Sequence, residues 1–203
     1  MTKSLVAQPS STSYSSRVWF TSWPGVSISF LWGFAEATFF FVIPDVFLSL
    51  AAILGGRRTW THILAAIAGA VFGGALLFQW SMERPATAHA AVCRVPFIRE
   101  GMFNKVDDGL RKHGMLAVAT GSATGMPYKL YAVEAPRFTT ARVFLLATPF
   151  VRSFRFLAVW LLSTEISQWL RRRFGMGTST LLAIHAVVWI AIYAFYWGRI
   201  VLG

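Results

Sequence analysis

The stretch FLWGFAEATFFFVIPDVFLSLAAIL, residues 30–54, determines what kind of fold this chain can adopt. It is almost entirely apolar, yet it contains Glu36 in mid-run and a Pro44-Asp45 pair further along. Proline removes a helix donor and disfavours helix in the residue before it. The stretch therefore predicts two half-helices that meet at a break. The predicted halves are Ser27 to Val42 and Val46 to Leu54.

A second stretch, GMPYKLYAVEAP at residues 125–136, repeats this pattern. The apolar run from Met115 to Met126 ends at Pro127, and only a short segment remains before Pro136. Broken helices at membrane depth persist only where protein buries them or where they line a watery cavity. Because a longer apolar segment follows each break, we predict an inverted repeat of two re-entrant hairpins, with the functional site where the breaks at Pro44 and Pro127 meet.

The composition predicts an all-α integral membrane protein. Of 203 residues, 56% are hydrophobic and only 13% are charged, against about 25% charged in an ordinary soluble domain. Gly69 and Gly73 form a G-x-x-x-G pair, which allows close packing of membrane helices. Three segments are long enough to cross a hydrocarbon core of about 30 Å. They are Thr61 to Trp80, Thr139 to Ser163 and Thr178 to Trp197.

The net charge of +11 has a membrane explanation. Basic residues cluster at the ends of apolar runs, as at Arg57-Arg58 and Arg171 to Arg173, which is typical of membrane flanks and argues against nucleic-acid binding. Cys93 is the single cysteine, and the four histidines are far apart in the sequence. These spacings match no disulfide, metal or cofactor motif, so we predict none of the three.

We predict a flexible polar tail over residues 1–26, with a transit peptide as the alternative, and a single membrane domain over residues 27–203. Within that domain the first half covers 27–80, an amphipathic connector 81–114, the second half 115–175 and a C-terminal spanning helix 178–203. The connector has apolar residues at helical spacing. They are Ile98, Met102, Phe103, Val106 and Leu110. This helix either lies at the membrane surface or caps the bundle as a soluble helix.

The charged residues inside the apolar runs are expected to be paired or functional, since a charge at the bilayer centre costs at least about 2.5 kcal/mol. Glu36 has no local partner, so we expect it to face the protein interior, either neutral or paired. Asp45 follows the first break, where it either caps the next half-helix or has a functional role. Arg152 and Arg155 share one helix face. We expect them either to pair with Glu36 and Asp45 or to bind a phosphate group.

Lys129 is the polar residue at the tip of the second break. We predict that it pairs with Asp45 across the two breaks, and that Glu134 pairs with Lys129 or with an arginine. Burial favours the neutral form of a carboxyl group, so Glu36 and Asp45 are suited to exchanging a proton.

The two halves together resemble the DedA-like family, whose VTT domain was formerly called SNARE-associated, and within it the YqaA-like branch. Ala35 to Asp45 resembles the branch pattern Ala-Glu-x-x-Phe-Phe-x-Ile-Pro-Pro-Asp. Pro127 to Lys129 and Val151 to Phe156 resemble its Pro-Tyr-Lys and Gly-Arg-x-x-Arg-Phe motifs. The resemblance covers about residues 28 to 174. The chain departs from the pattern at Leu77-Phe78, Glu134, Pro136 and Val151.

The resemblance implies a bacterial inner-membrane protein that moves lipids or lipid phosphates, such as undecaprenyl phosphate or phospholipids, as a transporter or scramblase. The expected substrate and ion pathway consists of Glu36, Asp45, Lys129, Arg152 and Arg155. Protons are possible coupling ions, no catalytic residue is expected, and the oligomeric state is left open. Two alternatives are a non-transporting structural or regulatory membrane protein and an enzyme that modifies a membrane lipid.

Overall fold

The computed structural model describes residues 22–202, and the regular structure in that range is entirely helical. The α-helices are α1 (Trp23–Thr38), α2 (Asp45–Gly55), α3 (Trp60–Glu83), α4 (Pro85–Cys93), α5 (Glu100–His113), α6 (Leu116–Thr124), α7 (Tyr128–Glu134), α8 (Ala141–Phe174) and α9 (Thr178–Leu202). Short 3-10 turns at Gly56–Thr59 and Ala135–Arg137 follow α2 and α7. Residues 1–21 of the predicted tail lie outside the described residues, and α1 begins before the predicted domain boundary at residue 27.

Three helical stretches are long and apolar enough to cross a membrane. They are Asp45–Glu83, Ala141–Phe174 and Thr178–Tyr196, and each contains or largely overlaps one of the predicted spans. The second stretch, α8, has 34 residues and is therefore about 51 Å long, well beyond a hydrocarbon core of about 30 Å. Large apolar side chains such as Phe150 and Phe154 of α8 are exposed, as expected of a surface that faces lipid.

Both predicted breaks are present, and a backbone hydrogen bond that spans five residues lies at each helix end. The end residue Gly125 is left-handed (φ 85°), whereas Phe39 is not (φ -125°). At the first, α1 stops at Thr38 rather than at Val42, because the Phe40 N–H reaches back five residues to the Ala35 carbonyl (2.6 Å). At the second, the Met126 N–H reaches back five residues to the Gly121 carbonyl (2.9 Å). This wider turn closes each helix. A proline then precedes the next helix, Pro44 before α2 and Pro127 before α7.

Helices α1 and α3 pack with their backbones in contact, and glycines make that contact possible. A Cβ atom placed on Gly69 would overlap the Phe30 carbonyl, and one placed on Gly33 would overlap the Ala66 carbonyl. Gly73 lies one turn further along α3, against Phe34. The G-x-x-x-G pair therefore lies in the α1–α3 contact.

The connector forms the predicted amphipathic helix, α5, and its apolar face is covered by protein. Phe103, Val106 and Leu110 are buried, and α5 packs against α6 and α7. The apolar face is therefore not available for insertion into a bilayer, which favours the alternative in which α5 caps the bundle.

Substitution of Gly69 by Ala tests the α1–α3 contact. The added methyl group must displace backbone atoms of α1, so we expect a loss of about 1–3 kcal/mol of stability. The measurement is the midpoint of thermal unfolding in detergent. Ala68→Val is the matched control, because Ala68 is exposed on the same helix. Equal midpoints for Gly69→Ala and wild type would contradict the close approach.

Candidate functional site

A cavity of about 490 Å³ lies where the two breaks meet α8 and α9. Its wall includes Phe41 and Ile43 from the first break and Gly125 to Pro127 from the second. Most of the wall is apolar. The charged residues that line it are Glu36, Asp45, Lys129 and Arg155. The structure therefore brings four of the five predicted pathway residues to one cavity.

Asp45 and Arg155 form an ion pair on the cavity wall. The Arg155 guanidinium addresses a single carboxylate oxygen, with Nε and Nη2 lying 2.7 and 2.5 Å from Asp45 Oδ2. The other oxygen, Oδ1, is buried and has no hydrogen-bond partner within the described part of the chain. Asp45 is the first residue of α2, but its side chain binds Arg155 rather than capping the helix. The pair thus keeps an unused acceptor.

Glu36 and Arg152 form a second, deeper pair that joins α1 to α8. Glu36 is 3% exposed and Arg152 is 1% exposed. The Arg152 guanidinium lies over the Tyr128 ring, 4.3 Å from its centroid, and the Tyr128 hydroxyl is hydrogen-bonded to Thr148 at 2.8 Å. Arg152 and Arg155 of α8 therefore pair with the carboxylates that the sequence offered as partners. Only Glu36 of this inner pair reaches the cavity wall.

Lys129 links the two breaks, although not through the predicted partner. Its ammonium group donates a hydrogen bond to the Phe40 carbonyl (3.1 Å), and the side chain is buried. The predicted Lys129–Asp45 pair is wrong because Arg155 binds Asp45 instead. The break explains the choice, since a backbone carbonyl in a non-helical segment needs a donor from elsewhere in the structure.

Glu134 belongs to the connector interface and not to the cavity. Its carboxylate accepts a hydrogen bond from Arg137 (2.6 Å), in agreement with the predicted arginine partner. Arg137 also lies 3.3 Å from Asp107 of α5. A hydrogen bond from Arg111 lowers the pKa of Asp107 from its ordinary value, and the nearby charges of Arg111 and Arg137 act in the same direction. This charged cluster therefore attaches the second break to α5.

Helix α9 supplies a wall of the cavity that sequence reasoning missed. The Tyr193 hydroxyl accepts a hydrogen bond from the Ile43 N–H (3.0 Å), and the Tyr196 hydroxyl donates one to the Gly125 carbonyl (3.2 Å). One turn back, Trp189 donates to Ser49 of α2 (3.0 Å). The signal was present in the sequence, because these three aromatic residues recur at helical spacing in an otherwise apolar segment.

The site combines an apolar enclosure with buried charge. Lys129 and Arg155 line the cavity together with Glu36 and Asp45, and Arg152 pairs with Glu36 from behind the wall. The five residues together carry a formal charge of +1. Such a cavity suits a molecule with an anionic headgroup and an apolar chain, because the wall would solvate the chain and a guanidinium would bind the headgroup.

No family model matches this chain, and no curated protein or solved structure matches it either. Fold and site together define an all-helical protein with three candidate membrane spans and a cavity lined by charged residues. The resemblance to the DedA-like family stays a prediction.

A double-mutant cycle on Glu36 and Arg152 measures the interaction free energy of the inner pair. Glu36→Leu or Arg152→Met alone leaves an uncompensated buried charge, so we expect each to cost about 3–5 kcal/mol of unfolding free energy in detergent. The double variant leaves no charge and should be more stable than either single variant. Additive losses would contradict the pairing.

The matched control for this cycle is the exposed pair Arg57–Glu165, in which an arginine Nη2 also binds one glutamate oxygen (2.7 Å). Solvent screens that pair, so Glu165→Gln should leave the stability in detergent almost unchanged.

Proposed function

We propose that the protein is a membrane transporter of the DedA-like type, which moves a lipid or a lipid phosphate across the bilayer, in a bacterial inner membrane as the resemblance implies. The observation that carries this proposal is the mixed-charge cavity between the two helix breaks. Buried ionisable residues in membrane segments are expensive and commonly mark substrate or ion pathways. The proposed mechanism involves no covalent step.

The proposal includes two re-entrant hairpins, α1–α2 and α6–α7. With 16 residues α1 is about 24 Å long, and with nine residues α6 is about 14 Å long, so neither crosses a core of about 30 Å by itself. The five-residue backbone hydrogen bonds at Phe40 and Met126, and the proline before the next helix in each case, support an internal repeat. Breaks of this kind form substrate sites in many transporters.

Arg155 is the proposed headgroup ligand, because it already binds an anion on the cavity wall. A phosphate offers more acceptor oxygens than the single Asp45 oxygen that Arg155 contacts, and it matches the guanidinium fork. The displaced Asp45 carboxylate would then be a buried, unpaired charge, and taking up a proton would remove that charge. Proton uptake would thus accompany headgroup binding at this pair.

Lys129 is the proposed second cation for the headgroup. It lies on the cavity wall and makes one hydrogen bond, to Phe40, although an ammonium group can donate three. Arg152 has a different place in the proposal, since the Tyr128 ring and Glu36 enclose its guanidinium. It holds the hairpin to α8 and does not contact the lipid.

The second candidate function is a structural membrane protein in which both ion pairs only hold helices together. The burial of the Glu36–Arg152 pair favours it, because Arg152 is enclosed and does not line the cavity. The two candidates differ in what Arg155 and Lys129 do, so these residues decide between them.

Translocation of a fluorescent lipid in proteoliposomes tests the proposal. Arg155→Gln and Lys129→Gln each remove a headgroup ligand, so we expect the rate to fall by about tenfold or more, as for lost electrostatic contacts in other sites. Arg142→Gln is the control, since Arg142 is exposed near the start of the same helix as Arg155. Wild-type rates in both cavity variants, with normal assembly, would favour the structural candidate.

A further inference from the structure

We propose that His89, Cys93 and Glu100 form a zinc site that joins α4 to α5. Sequence reasoning predicted no metal site, because one cysteine and four scattered histidines match no metal motif. The fold adds the missing donor by bringing the Glu100 carboxylate to the His89 and Cys93 side chains.

The three donors come from two helices that are joined by a turn. His89 and Cys93 are four residues apart on α4, so they share one face of that helix. Residues 94–99 then turn the chain back, and Glu100 is the first residue of α5. The closure of this short loop places the carboxylate against the imidazole and the thiol.

The donor atoms have the spacing of a coordination sphere. Cys93 Sγ lies 3.8 Å from His89 Nδ1 and 3.5 Å from Glu100 Oε2, and His89 Nε2 lies 3.3 Å from Glu100 Oε1. One donor atom from each residue can be chosen so that all lie within 4.8 Å of one another. In a tetrahedral zinc site with bonds of about 2.0–2.3 Å, neighbouring ligand atoms are about 3.3–3.7 Å apart. Only one imidazole nitrogen can bind the ion, so the thiol contact at Nδ1 and the carboxylate contact at Nε2 do not belong to one donor set. A shift of about 1 Å would bring one donor atom from each residue to zinc-ligand spacing.

The donor set selects zinc over the hard divalent cations. Thiolate, imidazole and carboxylate are the three side-chain ligands that zinc uses, whereas magnesium and calcium take oxygen ligands. The imidazole is held in place by the Phe103 ring, whose centroid is 4.0 Å from that of His89. An ion pair between His89 and Glu100 would need no thiol, yet the single cysteine of the chain lies against both residues.

Zinc at this site would also fix part of the cavity wall. Residues 95–98 lie between the ligands Cys93 and Glu100, and they line the cavity. Among them, Phe97 has a left-handed backbone (φ 68°) and packs against Phe41 of the first break, with ring centroids 5.7 Å apart. A left-handed conformation is costly for a bulky residue, so the surrounding structure must maintain it. A metal that closes the loop at both ends would do so.

Alkylation of Cys93 by a maleimide tests the site. Because Cys93 is the only cysteine of the chain, all thiol alkylation occurs at this residue. The sample is the full chain in detergent without a polyhistidine tag. The thiolate is both the nucleophile and the metal ligand, so one equivalent of Zn²⁺ should slow alkylation by about tenfold or more, and a chelator should restore the rate. His89→Ala and Glu100→Gln should lose this protection, while His113→Ala, on the exposed end of α5, should keep it.

Two further readouts separate the site from adventitious binding. Co²⁺ should give a thiolate charge-transfer band in wild type and none in Cys93→Ser. Trypsin should cut after the exposed residues Arg94 and Arg99 more slowly with Zn²⁺ in wild type, and at an unchanged rate in Cys93→Ser. An alkylation rate that Zn²⁺ does not change would overturn the site. So would Zn²⁺ protection of Cys93 in the His89 and Glu100 variants that equals the protection in wild type. If Zn²⁺ slows the alkylation of Cys93 but not trypsin cleavage after Arg94 and Arg99, the metal binds without fixing the loop, and that part of the proposal is overturned.

Discussion

The two ion pairs between α8 and the first broken helix are the constraint on which the rest of this structure depends. Arg152 binds Glu36 at the end of α1, and Arg155 binds Asp45 at the start of α2, so one helix holds both sides of the break. Removing one partner of a buried pair costs about 3–5 kcal/mol, because a charge is left without compensation. The interrupted backbone is therefore fixed to α8 on both sides of the break.

The two pairs differ in depth, and this difference divides their roles. Arg152 is enclosed by Glu36 and the Tyr128 ring, whereas the Arg155 side chain is 20% exposed and lines the cavity. A pair that is fully enclosed can only hold helices together. A pair on a cavity wall, with a carboxylate oxygen that has no partner among the described residues, can exchange one anion for another. The proposal of lipid transport therefore depends on the Asp45–Arg155 pair and on Lys129, and not on the Glu36–Arg152 pair.

Local chemistry made the breaks and the charged partners predictable. Proline at Pro44 and Pro127 disfavours a continuous helix through each break, although Pro149 is accommodated inside α8. An isolated Glu36 in an apolar run must find a partner. The choice of partner by Lys129 was not predictable, since it depends on which carbonyl the distant first break leaves without a donor. The His89–Cys93–Glu100 cluster was hidden for the same reason, because the turn at residues 94–99 creates it and no sequence spacing encodes it.

The cavity walls outside the breaks differ in how firmly they are held, and this bears on how a lipid would enter. Only 6% of the candidate span in α9 is buried inside the protein, and in a bilayer lipid chains would pack against it as well as protein does. Its attachment therefore depends on hydrogen bonds such as those of Trp189, Tyr193 and Tyr196, each worth about 0.6 kcal/mol in a membrane. The opposite wall, the 94–99 loop, is continuous with α5, which is anchored by buried side chains and by the Asp107–Arg137 contact. Separating α9 from the breaks costs a few weak hydrogen bonds, so the lowest-cost entry for an acyl chain lies on the α9 side.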